Sequence, residues 1–308
     1  MGMWLLLKVP SRSQRALAFS PFTLKRLSSS KRWQARQLKD HFTREATVQG
    51  LKSRAAFKLI QIDAKYHIFH NGQTVVDLGY APGSWSQVAV SRTGPNGRVL
   101  GVDIIPAQPP KGVSTIQGNF LDPSIQAYVQ NFLHDPTSGQ QHRPGIIPHV
   151  GLSNETSGLD VDTKNPINNC EEMEEPCLLT GKKSVDVVLS DMSDPWYQTS
   201  GFWKRSLSDL YNRMMNTSGM GFRDHAGSMD LCRAALQFSF EVLKTGGHFV
   251  CKFYQGAEDK DLEKQLKRLF QKVHRLKPES SRNESKEAYF IGLARKQHAT
   301  RHEVLTSP

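Results

Sequence analysis

The 308-residue chain contains little cysteine and no long apolar run. None of its four cysteines lies at Cys-x-x-Cys spacing from another, and none has a histidine partner at zinc-finger spacing. We therefore expect neither a disulfide scaffold nor a metal site, and a reducing compartment suits the count. No stretch approaches the roughly 18 consecutive apolar residues of a membrane-spanning helix, so we expect no transmembrane span.

Acidic residues are absent from the first 39 positions, which carry nine lysines and arginines and several serines and leucines. This composition is typical of a mitochondrial transit peptide, so we predict that residues 1–39 direct the protein to the mitochondrial matrix. A disordered basic arm that binds RNA is the alternative. The remaining chain has 31 basic and 29 acidic residues. Any affinity for nucleic acid must therefore come from local basic patches.

From Asp40 onward, strand-like and helix-like patterns alternate. Short apolar runs predict strands at 74–79, 98–103, 113–117, 185–190, 248–253 and 288–294. Apolar residues at helical spacing predict helices at 53–64, with Ser53 as the N-cap, and at 84–91, 228–243 and 259–273. This alternation predicts an α/β fold with a doubly wound, mostly parallel sheet.

Two stretches interrupt the alternation. Residues 131–183 are rich in Gly, Pro, Asn, Ser and Glu without periodicity, which indicates a disordered insertion. Residues 193–227 contain aromatic and basic side chains, and we interpret them as a loop on the substrate side, with an ordinary packed extension as the alternative. We thus expect one domain over residues 40–300, with these insertions and a tail at 301–308.

A glycine-containing turn follows the first predicted strand, with the sequence Asp77-Leu78-Gly79-Tyr80-Ala81-Pro82-Gly83-Ser84-Trp85. Glycines let the backbone approach a ligand, and the following helix offers free N–H groups. The turn lacks the G-x-G-x-x-G pattern of dinucleotide sites. Asp103 ends the next strand, where a carboxylate can accept hydrogen bonds from both ribose hydroxyls of an adenosine. The pattern favours S-adenosylmethionine over NAD, and a plain strand-to-helix turn is the alternative.

Two further strand ends carry ionisable side chains. Asp191 follows the strand 185–190, and Lys252 lies at the end of the strand 248–253. Ligands of open α/β sheets bind outside these strand ends. Lys252 is flanked by Phe249, Val250, Phe253 and Tyr254. Partial desolvation would let such a lysine accept a proton from a hydroxyl, although a solvated strand-end lysine is the simpler reading.

Five ordered motifs resemble the FtsJ-type ribose 2′-O-methyltransferases. They are Ser53-Arg54-Ala55-Ala56-Phe57-Lys58-Leu59, the glycine turn, Ser190-Asp191-Met192, Val250-Cys251-Lys252-Phe253-Tyr254-Gln255-Gly256, and Lys277-Pro278-Glu279-Ser280-Ser281-Arg282 with Ser285-Lys286-Glu287-Ala288-Tyr289. The resemblance implies the Rossmann-like fold of class I S-adenosylmethionine-dependent methyltransferases. It also implies that a tetrad of Lys58, Asp191, Lys252 and Glu287 converges.

The resemblance implies roles for individual residues. Lys252 is the expected proton acceptor for a ribose 2′-hydroxyl, with its neutral form favoured by burial and by the nearby Lys58 ammonium. Asp191 would orient one lysine, and Glu287 would balance the charge of the pair and position the ribose. The expected cofactor contacts are Gly79, Pro82, Gly83, Trp85, Asp103, Asn119 and Asp191.

The chain departs from the family pattern at two places. Gln117-Gly118-Asn119 stands where Gln-Gly-Asp is common, and Asn119 could still accept a hydrogen bond from an adenine amine. Asp191-Met192-Ser193-Asp194-Pro195 stands where Asp-Met-Ala-Pro is common. The second departure puts the contacts of the loop after Asp191 in doubt.

The substrate implied by the resemblance, together with the predicted transit peptide, is a uridine in mitochondrial large-subunit rRNA within a pre-ribosomal particle, methylated by a monomer. The basic helix 259–273 could contact phosphates, but acids among its lysines make a solvated face equally consistent; Lys52, Arg54, Lys204 and Arg205 are competing candidates. The alternatives are a methyltransferase of tRNA or an mRNA cap, a ribosome-assembly factor without catalysis and, distantly, a nicotinamide dehydrogenase.

Overall fold

We describe the protein from a computed structural model. The structure describes residues 40–135, 139, 183–194, 196–197, 214–215 and 217–305. The predicted transit peptide and most of the two predicted insertions therefore lie outside the described residues.

A seven-stranded sheet organises the chain. Its strands are β1 (Thr74–Leu78), β2 (Arg98–Asp103), β3 (Val113–Gln117), β4 (Val185–Ser190), β7 (Leu243–Tyr254), β8 (Phe270–Leu276) and β9 (Glu287–Arg295). The order across the sheet is β3-β2-β1-β4-β7-β9-β8. The first five strands in this order are parallel, and β9 pairs antiparallel with both β7 and β8. A separate two-stranded ribbon pairs β5 (Trp196–Tyr197) with β6 (Met214–Met215).

Helices cover both faces of the sheet. They are α1 (His41–Val48), α2 (Ala55–Tyr66), α3 (Ser84–Thr93), α4 (Pro123–His134), α5 (Gly221–Val242), α6 (Asp259–Leu269) and α7 (Arg301–Leu305). Helices α2 and α3 pack on one face, and α4, α5 and α6 pack on the other. Because side chains alternate along a strand, Val75 faces α2 and α3, whereas Val76 faces the opposite layer.

Local sequence explains several helix starts. Asp40 caps α1 by accepting a hydrogen bond from the Thr43 N–H, and Asp122 caps α4 in the same way from the Ser124 N–H. Pro123 occupies the first turn of α4, where its missing N–H is no loss. Helix α2 begins at Ala55, so the predicted N-cap Ser53 lies one residue too early. Its hydroxyl nonetheless accepts from the Ala55 N–H.

The strand order reverses beside β1, which lies between β2 and β4. Crossovers leave in opposite directions from this point, so a crevice opens beyond the carboxyl ends of β1 and β4. The expectation of a doubly wound, mostly parallel sheet is confirmed. Asp103, Asp191 and Lys252 lie at or next to the carboxyl ends of β2, β4 and β7.

Several boundaries differ from the sequence-based expectation. Helix α5 begins at Gly221, inside the predicted insertion 193–227, and residues 131–134 form the last turn of α4 rather than the start of the predicted insertion 131–183. The predicted helix 259–273 ends at Leu269, where β8 begins, and the predicted tail contains α7 with Val304 buried. Among the described helices, none combines the length and apolarity needed to cross a bilayer.

Candidate active site

A lysine and an aspartate meet where β4 and β7 run side by side. The Lys252 Nζ lies 3.2 Å from Asp191 Oδ1 and donates hydrogen bonds of 2.6 Å to the Asp191 carbonyl oxygen and to Ser193 Oγ. The side chain of Lys252 is 5% exposed. Three acceptors therefore match the three N–H donors of an ammonium group, which holds Nζ in one position.

A second pair joins helix α2 to strand β9. The Lys58 Nζ lies 2.6 Å from Glu287 Oε1, and the Ser281 hydroxyl donates to the same oxygen at 2.8 Å. Burial by itself would raise the pKa of Glu287, but Lys58 and Ser281 outweigh it and hold that pKa below its usual value. Glu287 is therefore an anion at neutral pH.

Tyr289 lies between the two pairs. It is opposite Lys252 in the β7–β9 ladder, and its hydroxyl lies 3.4 Å from Asp191 Oδ1. Lys58 Nζ stands 5.9 Å from the centre of its ring. Full burial raises the pKa of the Tyr289 hydroxyl well above its ordinary value, so the phenol stays protonated. The structure thus brings Lys58, Asp191, Lys252 and Glu287 together on one face of the sheet, linked by a tyrosine.

The glycine turn after β1 approaches the loop after β4 closely. Gly79 has φ +77°, and a Cβ at this position would lie 2.8 Å from the Met192 Cα. Gly83 has φ +102° and begins α3 without a side-chain cap; a Cβ there would lie 2.7 Å from Pro110 Cδ. A side chain at either position would be strained as well as crowded, which explains why the turn uses glycine.

A cavity of about 350 Å³ opens between this turn and the tetrad. Of the predicted cofactor residues, it is lined by Gly79, Asp103, Asn119 and Asp191; the other lining residues are Ala81, Val102, Ile104, Ile105, Gly118, Phe120, Leu121, Met192, Ser193, Asp194, Leu231 and Lys252. Pro82, Gly83 and Trp85 do not line it. Pro82 is exposed, Gly83 packs against Pro110, and Trp85 is buried with its indole N–H donating to the Ala55 carbonyl.

The polar groups of the cavity keep hydrogen-bonding capacity. Asp103 Oδ1 accepts from the Ile105 N–H at 2.8 Å, and its Oδ2 accepts from the Ala81 N–H at 2.9 Å. A carboxylate has about four acceptor positions, so two remain for hydroxyl groups of a ligand. Burial raises the pKa of Asp103. Asn119 Oδ1 accepts from the Leu121 N–H at 3.1 Å, which orients its amide beside the cavity.

The apolar wall fits a flat ring. Ile104 and Leu121 line the cavity and are 40% and 50% exposed, so their apolar surface is open to a ligand in the cavity. The volume falls within the range of small-ligand pockets, about 300–1,000 Å³. These residues therefore fit an adenosine with a polar tail.

One further carboxyl group lies behind the site. Asp77 is fully buried, with Oδ2 accepting a 2.6 Å hydrogen bond from the Ser86 hydroxyl, and Oδ1 has no partner within the described part of the chain. Burial, outweighing that hydrogen bond and aided by Asp191 and Asp103, raises its pKa to about 7. Asp77 is thus close to half-protonated at neutral pH.

Sequence reasoning did not assign Ser193, Ser281, Tyr289 or Asp77 to the site. Ser281 and Tyr289 lie within the fifth motif, and Ser193 belongs to a noted departure from the family pattern. Their roles depend on which strands are neighbours, and no spacing along the chain reports that. Tyr289 is two residues after Glu287 in β9, so the two-residue periodicity of a strand would have placed both side chains on the same face of the sheet.

Several basic residues on and next to α6 have acidic partners. On α6, Lys264 pairs with Asp261 at 2.8 Å and Lys267 with Glu263 at 2.6 Å. Arg275 pairs with Asp259 at 3.0 Å. These pairs favour the solvated-face interpretation of the basic helix.

The other basic residues considered for RNA contact, Arg54 and Lys52, also have hydrogen-bond partners within the protein. Arg54 pairs with Asp40 and donates to the Ser280 carbonyl oxygen. The Lys52 ammonium donates to the Gln108 carbonyl oxygen. Lys204 and Arg205 lie outside the described residues. In the described part of the chain, no group of three or more His, Cys, Asp or Glu side chains forms a possible metal site.

Comparison with known proteins adds a family. A family model described as FtsJ-like methyltransferase matches residues 51–295. The chain is 42% identical over 294 residues to rRNA methyltransferase 2, mitochondrial, of Saccharomyces cerevisiae, covering 91% of this chain and 92% of that protein. It is 32% identical to ribosomal RNA large subunit methyltransferase E of Thiobacillus denitrificans, covering 87% of this chain and 91% of that protein.

The solved structures support the same fold. A crystal structure of a ribosomal RNA methyltransferase from Plasmodium falciparum superimposes with a TM-score of 0.52 at 23% identity, covering 79% of this chain and 98% of that one. At this identity the likeness shows the fold alone.

Proposed function

Because the chain belongs to the FtsJ-like methyltransferase family, we propose that it transfers a methyl group to the ribose 2′-hydroxyl of a uridine in mitochondrial large-subunit rRNA. The observation that carries the proposal is the pair of lysine–carboxylate contacts, Lys252 with Asp191 and Lys58 with Glu287, joined through Tyr289 at the edge of the cavity. A ribose hydroxyl is a poor nucleophile, and such a cluster can position it and take its proton.

The cavity supports S-adenosylmethionine as the methyl donor. Asp103 would accept hydrogen bonds from the ribose hydroxyls of the cofactor, Asn119 would face the adenine, and Ile104 and Leu121 would cover its ring. Gly79 lets the backbone approach the amino-acid tail. When bound, the cofactor supplies a methyl group activated by its sulfonium. The likeness to the family supports the same assignment.

Lys252 is the proposed proton acceptor. Its Nζ is held by Asp191 and Ser193 at the cavity wall, so the group is positioned before the substrate arrives. To act, the Lys252 ammonium first releases one proton to solvent; as a neutral amine it then takes the 2′-hydroxyl proton as the ribose oxygen gains its methyl group. Asp191 would then stabilise the ammonium that forms, in the manner of a carboxylate behind a catalytic base.

Lys58 and Glu287 are proposed to position the ribose. Their ion pair has both side chains nearly buried, at 13% and 12% exposed, and Ser281 fixes the carboxylate. A buried pair of this kind keeps the local charge balanced beside Lys252, so the second lysine does not add an uncompensated positive charge.

The rRNA target and the compartment rest on relatives. The S. cerevisiae relative is a mitochondrial rRNA methyltransferase, and the T. denitrificans relative acts on the large subunit according to its name. The acid-free N-terminal stretch supports a mitochondrial matrix address. All four tetrad residues belong to the same chain, so the proposed chemistry does not require a residue from a second copy.

The proposal is tested by mapping ribose methylation over mitochondrial rRNA in cells with and without the protein. We expect one 2′-O-methyluridine in the large-subunit rRNA to disappear. An Asp191→Ala chain should restore the protein level but not the modification. An unchanged methylation map in the deletion strain, or methyl loss confined to tRNA or mRNA, would contradict the proposal; a map restored by Asp191→Ala would show that the tetrad is not the catalytic group.

A further inference from the structure

The cavity wall carries an excess of negative charge. Its ionisable lining residues are Asp103, Asp191, Asp194 and Lys252, which gives three carboxylates against one ammonium. Asp194 lies in the segment where this chain departs from the Asp-Met-Ala-Pro pattern. It therefore adds a carboxylate that the pattern does not contain.

Helix α5 fixes the position of this carboxylate. Gly227 lies inside α5, where glycine is unfavourable, and a Cβ at that position would lie 2.8 Å from Asp194 Oδ2. Leu231, one turn further along the same face of α5, lines the cavity. The glycine thus makes room for the Asp194 carboxylate between α5 and the cavity.

No cation neutralises Asp194 within the described part of the chain. Lys252 is the only ammonium among the described lining residues, and its three donors are used by Asp191 and Ser193. The neighbouring charged groups are acids: burial, followed by Asp230 and Asp224, raises the pKa of Asp194. A positive charge entering the cavity would relieve this repulsion.

We propose that Asp194 makes the site select its cofactor by charge, favouring the sulfonium of S-adenosylmethionine over the neutral thioether of its product, S-adenosylhomocysteine. The inference rests on the proposed function, which supplies the pair of ligands. The two molecules share the ammonium group of the amino-acid tail and differ by one methyl group and one positive charge at sulfur. A carboxylate that faces the sulfur, with no cationic partner among the described residues, therefore stabilises the first more than the second. The consequence is faster replacement of product by cofactor after each turnover.

The test compares dissociation constants by titration calorimetry on the full chain. For Asp194→Asn, we expect the Kd for S-adenosylmethionine to rise about fivefold or more, while that for S-adenosylhomocysteine stays within about twofold. Sinefungin, which carries an amine in place of the sulfonium methyl group, should weaken as S-adenosylmethionine does. The matched control is Asp261→Asn, because the Asp261 side chain is exposed on α6, pairs with Lys264 and does not line the cavity. The control should leave the ratio of the two constants unchanged.

A second variant tests the position of the carboxylate rather than its charge. Gly227→Ala should displace Asp194 and raise the ratio of the Kd for S-adenosylmethionine to the Kd for S-adenosylhomocysteine, as Asp194→Asn does, while better helix propensity favours folding of α5. An unchanged ratio in Asp194→Asn, or an equal loss for both ligands, would overturn the inference and leave the proposed function standing. A wild-type chain that binds neither ligand would instead contradict the proposed cofactor.

Discussion

At the scale of single residues, the two active-site lysines have different surroundings. Lys252 uses a carboxylate, a carbonyl oxygen and a hydroxyl as acceptors, whereas Lys58 contacts Glu287 and the face of the Tyr289 ring. Lys252 also lines the cavity, and Lys58 does not. The proton-transfer role therefore fits Lys252, and the charge-balancing role fits Lys58.

Replacing Lys252 by alanine should abolish most of the turnover and leave the affinity for the cofactor nearly unchanged. Removing a general base typically costs about 10²–10⁴ in rate, so we expect a fall of that size in single-turnover methylation of an rRNA transcript. The Kd for S-adenosylmethionine should change by less than about fivefold, because Asp103 and Asn119 remain. Lys264→Ala, an exposed change on α6, is the control. Near-normal turnover in Lys252→Ala would assign the base elsewhere.

Asp77 should make the stability of the fold depend on pH. Its pKa is raised to about 7 in the folded chain against 3.8 for an ordinary aspartate. The folded state therefore binds the proton more tightly than the unfolded state, and the stability present below pH 4 is lost as the pH rises through 7. Between pH 5 and pH 8 the loss amounts to about 2–3 kcal/mol.

Asp77→Asn removes this titration. We expect the free energy of unfolding of the wild type, measured in urea relative to the variant, to fall by that amount between pH 5 and pH 8. Any constant cost of the asparagine cancels in the comparison. For the control Asp261→Asn, which changes an exposed acid on α6, the difference in the free energy of unfolding should not fall between pH 5 and pH 8. A flat difference for Asp77→Asn would show that the carboxyl group titrates normally.

At the scale of elements, the parallel strands could be predicted from sequence and several other elements could not. Strands β2, β3 and β4 have the expected bounds, and β1 differs by one residue. Strands β1, β2 and β4 are short apolar runs buried on both faces, whereas β3 is a partly exposed strand at the edge of the sheet. The predicted helix 259–273 was four residues too long, because the basic, amphipathic periodicity of α6 continues past Leu269. Phe270 instead turns into the sheet as the first residue of β8.

The contacts within the site depended on neighbours that sequence patterns do not specify. Family motifs indicated that Lys58, Asp191, Lys252 and Glu287 converge, but not which lysine meets which carboxylate. That pairing follows from β9 inserting antiparallel between β7 and β8, which sets Tyr289 opposite Lys252. We expected Trp85 to contact the cofactor because it belongs to the glycine turn. Its indole instead donates to the Ala55 carbonyl and packs against Tyr289, so it lies outside the lining of the cavity.

Helix α6 provides a prediction about RNA contact at this scale. Because Lys264 and Lys267 are each paired with an acid on the same helix, we expect the double variant Lys264→Ala/Lys267→Ala to bind an rRNA fragment within about twofold of the wild type, with an unchanged salt dependence. Filter binding over a range of KCl concentrations measures both quantities.

The complementary variant on α6 leaves the same lysines without their partners. Asp261→Ala/Glu263→Ala should strengthen binding of the fragment and steepen its salt dependence, because Lys264 and Lys267 are then free to contact phosphates. A tenfold loss, on the order of 1.4 kcal/mol, in the lysine variant would instead place α6 in the RNA interface despite its ion pairs.

At the scale of the whole molecule, the cavity joins the two halves of the sheet. Gly79 and Asp103 follow β1 and β2 on one side of the switch point, Asp191 and Lys252 come from β4 and β7 on the other, and Leu231 comes from α5. A ligand that contacts all of them binds only the folded arrangement. Its binding energy therefore adds to the stability of the whole domain rather than of one element.

We accordingly expect S-adenosylmethionine at about one hundred times its Kd to stabilise the protein by about 2.7 kcal/mol, which corresponds to a rise in Tm of about 5–10 °C. Asp103→Ala should lose more than half of this shift at the same ligand concentration, because the ribose hydroxyls lose their acceptor. Asp261→Asn, an exposed change on α6 outside the cavity, should keep the full shift. Differential scanning calorimetry measures all three. A wild-type Tm that does not move with ligand concentration would mean that the cavity between the glycine turn and Lys252 does not hold the cofactor.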